Sequence, residues 1–150
     1  MQELAAVLEA SGLAGFLKAS RWTYPAVNAG HLLGVALLVG AVAPMDLRLI
    51  GVWRGDVPVA TVLRLLRPVA ASGAGLAVLT GMLLFVVQAR DYVALPAFWA
   101  KMGLVGLGLG HALANPAIAR APRGRQRLAG ALSVAVWLTV LVLGRMLGYL

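Results

Sequence analysis

Four apolar stretches alternate with short polar segments along the chain, and each is about as long as a bilayer crossing requires. A transmembrane helix needs about 20 consecutive apolar residues. The first stretch runs over 22–45, with Trp22 and Tyr24 as aromatic anchors at its start, Pro25 in its first turn, and Asp46 and Arg48 closing it. The second covers 68–89 and ends at Arg90, Asp91 and Tyr92. Residues 59–67 are expected to be helical already, so this helix should outrun its lipid-buried part. The third covers 97–118, opened by Pro96 and anchored by Phe98 and Trp99, and the fourth covers 128–149.

Residues 1–20 are too polar to span. Leu4, Val7, Leu8, Phe16 and Leu17 can lie on a membrane while Glu3, Glu9 and Lys18 face water, which predicts an interfacial helix pair broken near Ser11-Gly12. The pattern therefore predicts an all-α fold: a four-helix transmembrane bundle with a short N-terminal interfacial helix, forming one integral membrane domain over 1–150.

Composition agrees with that pattern. Hydrophobic residues make up 61% of the 150 positions and charged residues 12%, with a mean hydropathy of +0.90. A soluble domain carries roughly 25% charged residues. The net charge of +8 would suggest nucleic acid in a soluble protein. Here the arginines sit between apolar stretches, where anionic lipid headgroups lie, so the lipid bilayer is the expected partner and nucleic acid is not. The chain has no cysteine, which excludes disulfides, thiolate metal sites, Fe–S clusters and covalent c-type haem. Residues 1–10 lack a basic n-region and contain Glu3 and Glu9, so no signal-peptide cleavage is expected.

Arginine placement predicts topology. Arg48, Arg54, Arg64 and Arg67 lie between the first and second spans, and Arg120, Arg123, Arg125 and Arg127 between the third and fourth. The opposite side has Lys18, Arg21, Arg90 and Lys101. This bias makes the two arginine-rich loops cytoplasmic and both termini outward, or periplasmic. Small residues recur at helical spacing in Gly73/Ala77/Gly81, Gly106/Gly110 and Gly144/Gly148, which predicts close helix packing and leaves room for a homo-oligomer.

Polar groups inside lipid are costly and therefore mark candidate sites. They are Asn28, His31, Gln88, Lys101, His111, Asn115 and Arg145. Asn28, His31 and Gly34 share one face of the first span, and Gly30 and Gly34 would clear space for a flat cofactor beside the imidazole. His111 follows a glycine-rich stretch in the third span. Two histidines on two spans suggest bis-histidine ligation of a b-type haem in the bundle core. From the helix starts, His31 is nine residues deep and His111 fourteen. That offset, about 7–8 Å at 1.5 Å per residue, counts against the pairing. Asn28, His31, Gln88 and Arg145 fall at similar depth and form the preferred cofactor-binding cluster; Arg145 is expected first to snorkel to the surface, with the role of haem-propionate partner as its functional alternative. Satisfaction by a neighbouring helix is the competing reading for either histidine, and interfacial anchoring for Lys101. Asp46 and Arg48 are expected first to cap the end of the first span, with pairing to each other or to Arg64 or Arg67 as the alternative. No nucleophile with a base, paired carboxylate or phosphate loop points to an enzyme acting alone.

The run Trp22-Thr-Tyr-Pro-Ala-Val-Asn-Ala-Gly-His31-Leu-Leu-Gly34, then Leu38-Val-Gly40 and Asp46-Leu-Arg-Leu-Ile-Gly51, with Gly81-Met-Leu-Leu-Phe85 and Phe98-Trp-Ala-Lys101-Met, resembles a family of small four-span bacterial inner-membrane proteins of unassigned function. His31, Asp46, Arg48 and Lys101 match that pattern, whereas His111 stands where it has a small polar residue. The resemblance implies a bacterial inner membrane location and no particular activity.

The functional expectation is a small cytochrome-b-like subunit that binds haem b through His31 and His111 and exchanges electrons with a membrane or periplasmic redox partner at the outer face. The alternatives are a cofactor-free accessory subunit of a membrane complex, and a small-molecule or metal-ion permease. The permease is disfavoured because no carboxylate is expected within a span.

Overall fold

The computed structural model describes residues 1–149. Seven α-helices follow one another, with no strand among the described residues: α1 (Gln2–Glu9), α2 (Gly12–Ala19), α3 (Thr23–Ile50), α4 (Val59–Val87), α5 (Ala89–Ala94), α6 (Pro96–Ala114) and α7 (Arg123–Met146). Helices α3, α4, α6 and α7 are long and apolar enough to cross a membrane. The all-α bundle with a short N-terminal helical segment is the architecture the hydrophobic pattern predicts.

Local chemistry explains most helix ends. The Ser11 side chain accepts a hydrogen bond from the Ala14 N–H at 3.3 Å, capping α2 and breaking the N-terminal segment at the expected place. Helix α3 ends at Gly51, whose φ of 91° is the left-handed conformation that glycine adopts without a Cβ penalty. It therefore runs five residues beyond the expected apolar span. At 28 residues it is about 42 Å long, more than the roughly 30 Å of a hydrocarbon core. Helix α4 begins at Val59, as expected for a helix longer than its lipid-buried part. Asn115 and Pro116 stop α6 at Ala114, and residues Ile118–Arg120 turn as a 3-10 helix. Part of the basic connection then joins α7, which begins at Arg123.

The tightest joint is between α3 and α4. A Cβ placed on Gly34 would lie 2.5 Å from the Ala77 backbone nitrogen, and one on Gly73 2.5 Å from that of Leu38. The backbones meet with no side chain between them, which is how helices gain packing contact in lipid. Helix α7 packs on the other flank of α3, and α6 packs on α7, where Gly108 lies flat against the Trp137 ring. The side between α4 and α6 is the loose one. It is bridged at one end by stacked Phe85 and Phe98 rings, with centroids 5.4 Å apart. At the other end the Arg67 guanidinium donates to the carbonyls of Pro116 (2.6 Å) and Asn115 (2.9 Å).

Of the small-residue rows, Gly73/Ala77/Gly81 lies against α3. Gly106 and Gly110 face open space, so that row makes no joint within the chain. Gly144 meets the end of the Lys101 side chain, and Gly148 meets only its own helix.

The buried apolar core is concentrated towards the arginine-rich end. It comprises Leu38, Ala41, Val42, Met45 and Leu49 of α3, Val62, Leu63 and Ala70 of α4, Ile118, and Ala129 and Trp137 of α7. Towards the end that carries both termini, Ala5, Ala14, Leu17, Val87 and Ala89 are buried outside this core, and His31 is only half-buried.

Candidate functional site

His31 lies on the flank of α3 that meets α4. Its Nδ1 is 2.9 Å from the Ala77 carbonyl oxygen and 3.2 Å from Thr80 Oγ1. A carbonyl can only accept, so Nδ1 carries the hydrogen and donates it. In the neutral ring that leaves the Nε2 lone pair free, and no protein partner takes it up among the described residues. Gly81 keeps the ring edge clear, since a Cβ there would sit 3.2 Å from His31 Cε1. The Thr80 hydroxyl itself donates to the Leu76 carbonyl at 2.6 Å, so its oxygen can also accept from Nδ1.

Lys101 of α6 is the second polar group in this half of the bundle. Its Cε and Nζ lie 3.5 Å from where a Gly144 Cβ would stand, so it reaches across to α7. It is half-buried and forms no ion pair among the described residues.

The other members of the expected cluster do not join His31. Asn28 and Gln88 are exposed. Arg145 turns to Tyr149, donating to its hydroxyl and lying 4.6 Å over its ring centroid. Gly34, expected to clear space at the imidazole, lies in the α3–α4 joint, and Gly30 faces Thr80. The glycine beside the ring is Gly81.

His111 has the opposite tautomer and a different task. Its Nε2 donates to the Ala129 carbonyl at 3.1 Å, tying α6 to α7. Its Nδ1 faces Asn115 Nδ2 at 3.5 Å, and that amide also donates to the His111 carbonyl at 2.9 Å. Both ring nitrogens are engaged near the arginine-rich end. The structure thus keeps the two histidines apart: His31 is joined to α4 and His111 to α7.

Sequence reasoning missed one further group. Helix α3 carries Asp46 into the interior, where it is 4% exposed against α7. The alternative expectation that Asp46 pairs with an arginine does not hold. Arg48 donates to the carbonyls of Trp53, Gly55 and Val57 and shapes the following loop, while Arg67 is engaged with Pro116 and Asn115. The absence of interior carboxylates that weighed against a permease therefore does not hold either. Ending the first span at Met45 hid this, because a polar residue after an apolar run reads as the helix leaving lipid.

No group of three or more His, Cys, Asp or Glu side chains that could hold a metal ion occurs among the described residues. Comparison of the chain with family models, known proteins and solved structures finds no match.

Proposed function

We propose that this chain is a small membrane subunit that holds haem b through His31 and exchanges electrons at the end carrying its termini. The observation that carries the reading is the fixed tautomer of His31. Its Nδ1–H is held by the Ala77 carbonyl, which orients the ring and leaves Nε2 as the donor atom. Metal-binding imidazoles are ordinarily set in this way. Lys101 offers a cation for a carboxylate of the group, the alternative role expected of Arg145. Haem, when bound, supplies one-electron redox chemistry at its iron. Both nitrogens of His111 are engaged within the protein, so the proposal uses His31 as the sole protein ligand. The arginine bias favours a bacterial inner membrane orientation with the His31 half outward.

The test is an absorption spectrum of the protein purified in detergent after haem-replete expression, oxidised and then dithionite-reduced. The reading predicts a reduced α-band that disappears in His31→Ala. A colourless wild-type protein would overturn it.

A second reading then stands first: a cofactor-free accessory subunit of a membrane complex. The observation favouring it is on α6, where Gly103, Gly106 and Gly110 all have open space before them, leaving a smooth face that no other helix of this chain covers.

A further inference from the structure

We infer that Asp46 is a proton-binding site: its carboxyl, enclosed in the seam between α3 and α7, is held as the neutral acid at neutral pH. This site is independent of the His31 reading and lies towards the other end of the bundle.

The inference begins with an unpartnered atom. Asp46 is 4% exposed, and its Oδ2 is buried with no hydrogen-bond partner. An ionised carboxylate taken out of water must be compensated by a cation or by several donors. Asp46 has neither. The Ser133 hydroxyl of α7 is placed to donate to the carboxyl group, a single neutral donor that offsets only part of the cost of burial. The seam is closed tightly around the group. A Cβ on Gly130 of α7 would stand 2.9 Å from the Asp46 carbonyl oxygen and 2.9 Å from Leu49 Cβ.

Every charged or titratable group on the neighbouring elements is turned elsewhere. On α3, Arg48 is bound to the loop carbonyls. On α4, Arg64 is exposed and Arg67 is bound to the segment after α6. On α7, Arg123, Arg125 and Arg127 are exposed, as is Arg120 of the 3-10 turn. His111 of α6 is tied to Ala129, and Arg54 and Asp56 of the loop after α3 are exposed. A chain with thirteen Lys and Arg thus leaves its one buried acid without a cation. A bound proton removes the charge and makes the enclosure tolerable. Releasing it leaves a carboxylate with one neutral donor and no cation.

Infrared spectroscopy of the detergent-purified protein at neutral pH tests this directly. The expected result is one protonated-carboxyl C=O band, absent in Asp46→Asn. If that variant does not fold, wild-type protein labelled with 13C at the aspartate carboxyl decides the matter. Of the three aspartates, Asp56 and Asp91 are exposed, so a band moved by the label belongs to Asp46. A wild-type protein with no such band, a band that survives in Asp46→Asn, or one that the label does not move overturns the proposal.

Discussion

At His31 and His111 the same imidazole takes opposite tautomers because each faces a carbonyl with a different ring nitrogen. Nδ1 of His31 meets Ala77, and Nε2 of His111 meets Ala129. His111→Gln keeps an N–H donor for Ala129 and should leave stability nearly unchanged. His111→Ala removes the tie between α6 and α7 and should cost about 1 kcal/mol, read as a lower unfolding midpoint in detergent. Tyr92 on α5 gives a pH prediction outside the spans. Burial first, then Tyr24 and Asp91, hold its hydroxyl neutral above the ordinary phenol value. That contribution to stability is complete below about pH 10 and is lost as pH rises through the shifted value. Tyr92→Phe should abolish this part of the alkaline decline, measured as thermal midpoint against pH.

Among the elements, α3 and α4 form the rigid unit and α6 the lightly held one. Gly34→Ala puts a methyl into the Ala77 backbone and should destabilise by about 1–3 kcal/mol, whereas Gly110→Ala, which meets open space, should change stability little. Unfolding midpoints of the two variants in one detergent check the contrast. Gly108→Val should push α6 away from Trp137. The chain has no native cysteine, so the efficiency of cross-linking introduced cysteine pairs on α6 and α7 should fall in that variant. The elements themselves were legible from hydrophobic length, aromatic anchors and the Ser11-Gly12 break. Which small-residue row packs was not legible. Gly73/Ala77 and Gly106/Gly110 have the same spacing, and only tertiary arrangement puts α3 against the first and nothing against the second.

Across the whole molecule, packing is uneven. The apolar core, the Arg67 bridge and enclosed Asp46 lie towards the arginine-rich end, and half-buried His31 and Lys101 lie towards the other. His31 was legible as an imidazole costly to leave unpartnered in lipid. Its partners were not, because Thr80 and the Ala77 carbonyl carry no sequence signal, and depth counting could not tell Lys101 from Arg145. Asp46 was hidden by an apolar run that ends before the helix does. The functional account depends on His31 offering a free Nε2 while His111 does not. The most direct measurement is haem titration of detergent-purified wild-type, His31→Gln and His111→Gln proteins, followed by absorbance. The account predicts saturable binding of one haem per chain by wild-type and His111→Gln, and none by His31→Gln. Equal binding by all three, or loss of binding in His111→Gln alone, would contradict it.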